Sequence, residues 1–556
     1  MSATHATAQT GSVICFEAID GIIAPNKAVV DSKGNLYTVG EFERRVDFDP
    51  GPGKFIAETR SDNDLFLLKL SPEGAFVWVK TLGADYMDKG LDVAIDSEDN
   101  IYITGSIYGT VDLDPGPEQK WYSAKGSFDA FISKFNSEGD LLWVHAFGSS
   151  DWDEGRSIVI DGDDNIYLAG CFYGTIDIDP GLNVYNLTST GSMDLFLIKL
   201  SKNGDLIWGH SFGGISREDY QVAITIDNNG DLLMTGAFVD WVDFDPGEGR
   251  HMLNGRGVHH MFLLKLSKDG DFIWVKQIGS IYSGDTYPWG VAVDKWNNIF
   301  ITGDFSSAVD FDPGEGKVVK TALDGSDIFL LKLDETGDFQ WVEHLSGDRY
   351  NYSYSVAVDN EQNIFITGQF HTDLSYTSVD RETKMVSTDE YKELFVAKVR
   401  NEGGVESFTY FVSYTQDKGT SVYVNPNNGN IVLTGWLQGK GSLMEYWDNN
   451  LKSDQYFVGA IFSLSPDWVS GIWNQGDRNR LFHIGPNPVY NRLWIEIEQE
   501  GSYTVQLRDM MGALVKEAMS IDRSTELDLS GIAPGIYFAS LWQNGKQETR
   551  RIVKAQ

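Results

Sequence analysis

Five times along the chain, two aspartates stand one residue apart ahead of a proline and a glycine. They are Asp47 and Asp49, Asp112 and Asp114, Asp177 and Asp179, Asp243 and Asp245, and Asp310 and Asp312. On an extended segment, side chains at i and i+2 share one side. Two carboxylates ~4 Å apart repel by ~1 kcal/mol in water, and by more beside protein. Ca2+, a hard cation that takes about six to eight oxygen ligands, would relieve that repulsion and pin each loop. A second reading is architectural. Proline and glycine preset the two central residues of a turn, and the aspartate caps it by accepting a backbone N–H. The two readings stay open, because the remaining calcium ligands cannot be identified from the sequence.

A second constellation pairs acids with aromatics: Asp85 and Tyr86; Asp151, Trp152 and Asp153; Asp219 and Tyr220; Asp285 and Tyr287; Asp348 and Tyr350. Carboxylates and aromatic rings around one opening suit a carbohydrate or a cationic ligand, and equally an ordinary solvated rim. Catalytic motifs are missing. The nine histidines show no H-E-x-x-H spacing, and no G-x-S-x-G elbow occurs. Acid pairs for glycoside hydrolysis are defined by separation in space, so sequence neither supplies nor removes them.

What positions these residues is a repeat. The pattern apolar-apolar-Asp, turn, Asn-apolar-aromatic-apolar-Thr-Gly returns seven times, ending at Gly40, Gly105, Gly170, Gly236, Gly303, Gly368 and Gly435, 65 to 67 residues apart. So small a drift fits units that must dock on their neighbours. Each unit holds four strand signals, a to d, which in the first unit fall at 28–31, 35–42, 64–70 and 76–82. Strand d, with Phe76, Val77, Trp78 and Val79, is apolar on both faces, which predicts burial on both sides. Trp78, Trp143, Trp208, Trp274 and Trp341 recur at the repeat period and read as packing residues. Asp31, Asp96, Asp161, Asp227, Asp294 and Asp359 open each a–b turn with Asn or Asp four residues on, which predicts Asx-turns.

Four strands in each of seven units predict an all-β, seven-bladed β-propeller with antiparallel blades. The seventh unit has a strand c at 456–462 and no strand d after it, while a strand-d-like segment starts at Val13, ahead of the first strand a. Joining the two closes the ring and removes two exposed sheet edges. A solenoid would instead need polar capping units, and neither end shows one. The sixth and seventh units lack the Asp-Pro-Gly loop. The D-x-x-x-N-x-Y-x-T-G core and the following D-x-F-L-x-K-L and Trp strands resemble the bacterial SBBP repeat family over Val13 to Phe462. That resemblance implies an extracytoplasmic propeller without a defined activity.

After Ser465 the pattern changes. Residues 466–482 read as a linker, residues 12–465 as the propeller, and residues 1–11 as a disordered lead. From 483 to 556, short runs alternate apolar and polar residues, as in a small antiparallel, Ig-like β-sandwich. Pro486-Asn487-Pro488, Asp509-Met510-Met511-Gly512, Leu529-Ser530-Gly531-Ile532, Ala533-Pro534-Gly535-Ile536-Tyr537 and Arg551-Ile552-Val553-Lys554 resemble the C-terminal sorting domain of type IX secretion cargo. Gly485 stands where that family usually carries an aromatic. The resemblance implies the type IX machinery as partner, removal of the domain on export, and a secreted or outer-surface location. Such export also requires an inner-membrane signal, and the leading MSATHATAQTGS has neither a basic nor an apolar stretch.

The net charge of -37, from 44 Lys+Arg against 81 Asp+Glu, excludes nucleic acid as a partner. No apolar run approaches the ~18 residues of a membrane span. Two cysteines, Cys15 and Cys171, fall on distant units, which predicts no disulfide. Near-identical units favour a non-enzymatic binding or adhesion module for a glycan or other surface ligand. A polysaccharide hydrolase or lyase at the channel mouth and a structural surface-layer component are the alternatives.

Overall fold

The computed structural model describes residues 11–83, 86–215, 221–322, 324–411, 416–438 and 457–464, and then 482–485, 492–497, 503–509, 514–520, 524–532, 535–543 and 546–554. The chain divides into two compact units: Met1–Gly441 with Lys452–Ile472, and Ser442–Leu451 with Trp473–Gln556. Of the predicted disordered lead at 1–11 and linker at 466–482, residues 1–10 and 466–481 lie outside the described residues, while Gly11 and Phe482 begin strands.

Among the described residues every regular element of the first unit is a strand, and the arrangement is propeller-like. The repeat glycine explains how each segment begins. The inner strands Ile22–Val30, Lys89–Ile95, Glu154–Ile160, Thr286–Val293, Tyr352–Val358 and Asp417–Val424 each carry a β-bulge opposite the repeat glycine of the next strand. A Cβ on Gly40, Gly105, Gly170 or Gly303 would overlap the carbonyl of Ala24, Lys89, Glu154 or Tyr287 in that inner strand. Only glycine admits so close an approach.

The second and third strands form the core. Every residue of Ile166–Phe172, Asp194–Leu200 and His260–Leu266 is buried, as expected of strands covered on both faces. The fourth strand departs from expectation. Val77, Leu142, Ile207 and Ile273 are 41–49% exposed, so the predicted burial on both sides of strand d is corrected. These strands are outermost, where sheets radiating from one axis diverge. Trp78 and Trp143 still pack inward, 6.0 Å from Tyr37 and 5.9 Å from Tyr102.

The inner strands lie against one another in cyclic order, and the last, Asp417–Val424, lies against the first, Ile22–Val30. Contacts between consecutive segments recur at this junction. Asn26 Nδ2 donates to Gly90 O at 2.9 Å, and Thr420 Oγ1 donates to Pro25 O at 2.7 Å. Likewise Asn228 Nδ2 donates to Asp294 O at 2.8 Å, and Asn427 Nδ2 to Asp31 O at 2.7 Å. The leading strand Gly11–Ala18 pairs antiparallel with Phe457–Leu464, from Gly11↔Leu464 to Phe16↔Gly459. The ring is therefore closed by the start of the chain.

The sequence predicts seven separate four-stranded sheets. Hydrogen bonding instead gives five large sheets, of eight, four, four, six and eight strands, with two two-stranded ladders beside them. The cause is the Asp-Pro-Gly hairpin and its counterpart at Ile364–Thr377. Three of them, at Asp47, at Asp310 and at Ile364–Thr377, reach the outer strand of the preceding segment through two residue pairs each: Glu17↔Asp47 and Ala18↔Val46, Gly279↔Asp310 and Ser280↔Val309, Ser346↔Ser375 and Gly347↔Leu374; the hairpins at Asp112, Asp177 and Asp243 pair only within their own segments. Those three hairpins stitch neighbouring sheets together.

In the second unit, Phe482–Gly485, Arg492–Ile497 and Ser524–Asp528 form one antiparallel sheet. Tyr503–Asp509, Leu514–Ser520, Gly535–Gln543 and Lys546–Lys554 form another. Leu493 and Ile495, Val505 and Leu507, and Leu527 and Leu529 are buried at alternate positions, the period of a one-face core. Residues 486–488, 510–512 and 533–534, which carry the predicted turn motifs, lie outside the described residues. Among the described residues no helix is long and apolar enough to cross a membrane.

Candidate functional site

The five acidic loops share one geometry. Asp47 Oδ1 accepts the N–H groups of Asp49 at 3.2 Å and Phe55 at 2.9 Å, and Asp49 Oδ1 accepts Gly51 N–H at 2.8 Å. Asp112 and Asp114 accept from Asp114, Lys120 and Gly116, and Asp177 and Asp179 from Asp179, Tyr185 and Gly181. Asp243 and Asp245 bind Asp245, His251 and Gly247, and Asp310 and Asp312 bind Asp312, Val318 and Gly314 in the same way. One oxygen of every carboxylate is thus engaged by backbone. Among the described residues no three His, Cys, Asp or Glu side chains are gathered as metal ligands.

The predicted acid–aromatic face is dispersed by role. Asp85, Asp219 and Tyr220 lie outside the described residues. Tyr86, 52% exposed, packs on Tyr108 with centroids 4.6 Å apart, and Tyr350 is 57% exposed. Asp151 and Asp348 are exposed. Asp153 is fully buried, accepting Ser149 N–H at 2.5 Å and Tyr173 N–H at 3.0 Å. Burial pushes its carboxyl up to about 6, against those backbone bonds. Trp152 packs at a tilt against Phe128 with centroids 5.5 Å apart. Asp285 Oδ1 and the Tyr287 hydroxyl each lie 3.0 Å from His259 Nδ1. The hydrogen bond from His259 holds the Asp285 carboxyl below its ordinary range.

The structure brings a different set together. At the bulge, the residue after each repeat glycine pairs with an inner-strand residue: Glu41 with Ala24, Ser106 with Lys89, Cys171 with Glu154, Asp304 with Tyr287, Gln369 with Tyr352, and Trp436 with Lys418. Bulged residues follow, among them Arg156, Trp289 and Tyr354. Bulges re-aim side chains and recur beside functional sites. Around this register Ser106 Oγ donates to Glu154 Oε1 at 3.0 Å, Arg156 pairs with Glu154, and Trp289 Nε1 donates to Asp304 Oδ1 at 2.7 Å. Lys418 Nζ sits 4.2 Å over the Tyr354 ring, and Lys392 Nζ 5.8 Å over Tyr352. Those two tyrosine rings stack at 5.9 Å.

The electrostatics knit these residues into one cluster. Burial pushes the Lys418 ammonium down to about 8; Glu41 opposes this, and Lys392 and Arg156 add to it. Burial pushes the Glu41 carboxyl up, opposed by Lys89, the Asn63 amide and Lys418 and aided by Glu154. Lys418 and Tyr354 are only half-buried by exposed area, yet burial still dominates both shifts. Cys171, fully buried, has its thiol pushed up to about 12 by burial, which makes it inert.

Sequence reasoning missed this register because its residues share no type. The signal was the reverse of a motif: one position, directly after an unvarying glycine, that changes in every unit. The opposite end of each unit does repeat. Asp96 Oδ1 accepts the N–H groups of Glu98 at 3.0 Å and Asn100 at 2.8 Å, while Lys134 Nζ and the Tyr102 hydroxyl both lie 3.0 Å from Oδ2. Lys199 with Asp161 at 3.4 Å and Lys265 with Asp227 at 2.7 Å repeat the ion pair.

Comparison with known proteins supports both resemblances. The secretion system C-terminal sorting domain family matches residues 483–555, and the beta-propeller repeat family matches residues 273–304. A tail of this type implies export to the cell surface or beyond it. Two curated relatives are similar. An uncharacterized WD repeat-containing protein of Acanthamoeba polyphaga mimivirus is 25% identical over 442 residues, covering 69% of this chain and 31% of that protein. The regulatory protein FlaEY of Caulobacter vibrioides is 21% identical over 201 residues, covering 35% of this chain and 20% of that one. The chain thus spans about a third or less of the length of these relatives. A solved structure of PorZ, described as an essential bacterial surface component of the type-IX secretion system of Porphyromonas gingivalis, aligns with 96% of this chain and 75% of its own. Its TM-score of 0.29 and 12% identity are too low to carry an argument.

Proposed function

We propose that this chain, which carries a β-propeller repeat and a type IX sorting tail, is an exported seven-bladed propeller that binds a surface or extracellular ligand at its axial mouth. The carrying observation is the contrast within each unit. The a–b turn keeps its aspartate in six of the seven units, while the inner-strand position opposite the residue after the repeat glycine is Ala24, Lys89, Glu154, Tyr287, Tyr352 and Lys418 in the first, second, third, fifth, sixth and seventh units. A surface under selection for packing alone would stay uniform. Seven blades follow if the eight- and six-stranded sheets are read as four-stranded units joined by two-pair hairpin bridges. An Ig-like sandwich is the matching reading of the two C-terminal sheets, and the type IX machinery is its partner.

Glycan-array binding by the full chain, with reducing-sugar release measured in parallel, tests the module. Binding without release supports it. Release abolished by Glu41→Gln or Glu154→Gln would replace it with the polysaccharide-degrading reading, and binding to nothing would leave a structural surface component. Calcium in the Asp-Pro-Gly loops is a separate proposal, in which the ion would use the carboxylate oxygens that take no backbone N–H.

A further inference from the structure

In the fifth and sixth units, and in no other among the described residues, the inner strand carries aromatic residues at its bulge. Tyr287 and Trp289 stand 65 residues ahead of Tyr352 and Tyr354. Thr286, Pro288 and Gly290 are buried while Tyr287 and Trp289 stay partly exposed, and Ser353 and Ser355 are buried while Tyr352 and Tyr354 stay partly exposed. The four rings therefore share the uncovered face of two neighbouring strands. Trp289 and Tyr354 are the extra residues of their bulges, set between Pro288 and Gly290 and between Ser353 and Ser355. The fold does not ask for rings here. The same two positions hold Ala24 and Asn26, Lys89 and Leu91, Glu154 and Arg156, and Lys418 and Thr420 in other units. Asn26 and Thr420 bond carbonyls of an adjoining unit instead.

The rings are held by their polar tips. Trp289 Nε1 donates to buried Asp304 Oδ1 at 2.7 Å, and the Tyr287 hydroxyl lies 3.0 Å from His259 Nδ1. Trp289 meets Tyr354 at 80° with centroids 5.1 Å apart, while Tyr352 lies within 16° of parallel to Tyr354 at 5.9 Å. The corner so formed is in place before a ligand arrives, which spares the ordering cost of binding.

Charge does not select the occupant. Lys392 and Lys418 stand over Tyr352 and Tyr354, but buried Glu393 and Asp417 are their chain neighbours and buried Asp304 holds Trp289. Further round, Lys89 is matched by Glu41 and Arg156 by Glu154. A cation would meet the lysines beside these rings, and an anion would meet the carboxylates. An uncharged ligand with flat C–H faces meets neither. A pyranose with equatorial hydroxyls is such a ligand, because its axial C–H bonds turn slight positive charge to the negative face of an aromatic ring.

We propose that Trp289 and Tyr354, flanked by Tyr287 and Tyr352, form a stacking subsite at the axial mouth for a neutral saccharide of equatorially substituted pyranose rings, the chemistry of a β-1,4-glucan. This rests on the mouth being the binding surface. The full chain is titrated calorimetrically with cellohexaose at low and high salt, and with tetramethylammonium chloride, beside the glycan array. Cellohexaose binds with an affinity that salt leaves unchanged, as fits an uncharged ligand, and tetramethylammonium does not bind. Trp289→Ala and Tyr354→Ala each lower affinity about tenfold or more, equivalent to about 1.4 kcal/mol, with thermal melts run on both to separate lost stacking from lost fold. Tyr354→Phe, which keeps the ring, retains affinity. Trp241→Ala, on a hairpin where the ring is 60% exposed, changes nothing.

Cellohexaose binding that survives both alanine variants overturns the subsite and leaves the mouth reading in place. Tetramethylammonium binding that is tighter than cellohexaose and lost in Trp289→Ala overturns the saccharide. No binding of cellohexaose, with other glycans bound on the array, overturns this inference alone, and binding of no glycan at all overturns the mouth reading with it.

Discussion

The two ends of each repeat unit are built from the same strands and answer different demands. At the a–b turn, an aspartate collects backbone N–H groups in every unit from Asp31 to Asp359, joined by a lysine at Asp96, Asp161 and Asp227 and by a tyrosine hydroxyl at Asp31 and Asp96. The third turn residue reaches the left-handed region at Asp99, Asp164 and Asn297, where Asp and Asn are tolerated. Each then caps the turn of the preceding unit: Ser32 donates to Asp99, Ser97 to Asp164 and Asn228 to Asn297. This end is a ring of fasteners. Some seven residues further along each second strand, past the repeat glycine, repetition stops. The repeated end is where these bonds fasten the units, the varied end is where we propose ligand binding, and the inner-strand bulge marks where one gives way to the other.

That division can be broken in order of effect. Asp96→Ala strips two backbone donors and leaves buried Lys134 without its partner, so denaturant unfolding should show a loss of about 3–5 kcal/mol. An effect below 1 kcal/mol, of the order seen at exposed ion pairs, would deny the fastener role.

Next comes pH. Asp64 and Asp194 are buried at the start of third strands, where burial pushes their carboxyls up to about 7 and about 6. Unfolded, both release the proton near ~3.9. Between that pH and the folded values, the native chain holds protons that the unfolded chain has lost. Stability therefore falls as pH rises from about 4 to about 7. Thermal melts of Asp64→Asn should lose part of that decline and exceed the native protein at pH ~8. A native stability that rises across the window would contradict the burial.

Smaller still is the hairpin. Asp47→Ala removes the acceptor for two N–H groups and should cost about 1–2 kcal/mol. If turn geometry alone fixes the loop, chelator leaves the native melting temperature unchanged. If calcium pins the loops, chelator lowers it by several degrees and the Asp47→Ala variant responds less. The smallest effect is the most telling for the comparison. Lys418→Met at the mouth should change stability by under ~0.5 kcal/mol, or raise it, because an unpaired enclosed charge is removed.

The repeat made the strand order and the closing leading segment legible in the sequence. Strict spacing and two-face hydrophobicity leave few other ways to hide the core. Strand d at 76–82 coincides with Phe76–Leu82, and the segment from Val13 lies within Gly11–Ala18. The exposed outer face of strand d was hidden, because Val77 and Val79 look alike to a pattern that cannot sense distance from an axis. The hairpin bridges that merge seven units into five sheets were also hidden, since backbone pairing across units leaves no residue signature. The mouth was the hardest part to read. Motif reasoning rewards recurrence, so it selected Asp153, which turned out to be a buried loop anchor, and passed over Lys418, Tyr354 and Glu41, which recur nowhere.

Hydrogen–deuterium exchange on the full chain, with and without a glycan selected by array binding, tests the division most directly. The account predicts added protection around Glu41, Lys89, Glu154–Arg156, Tyr352–Tyr354 and Lys418, with the a–b turns at Asp31, Asp96 and Asp161 unchanged. Protection that appears at the a–b turns, or on the outer strands alone, would contradict it.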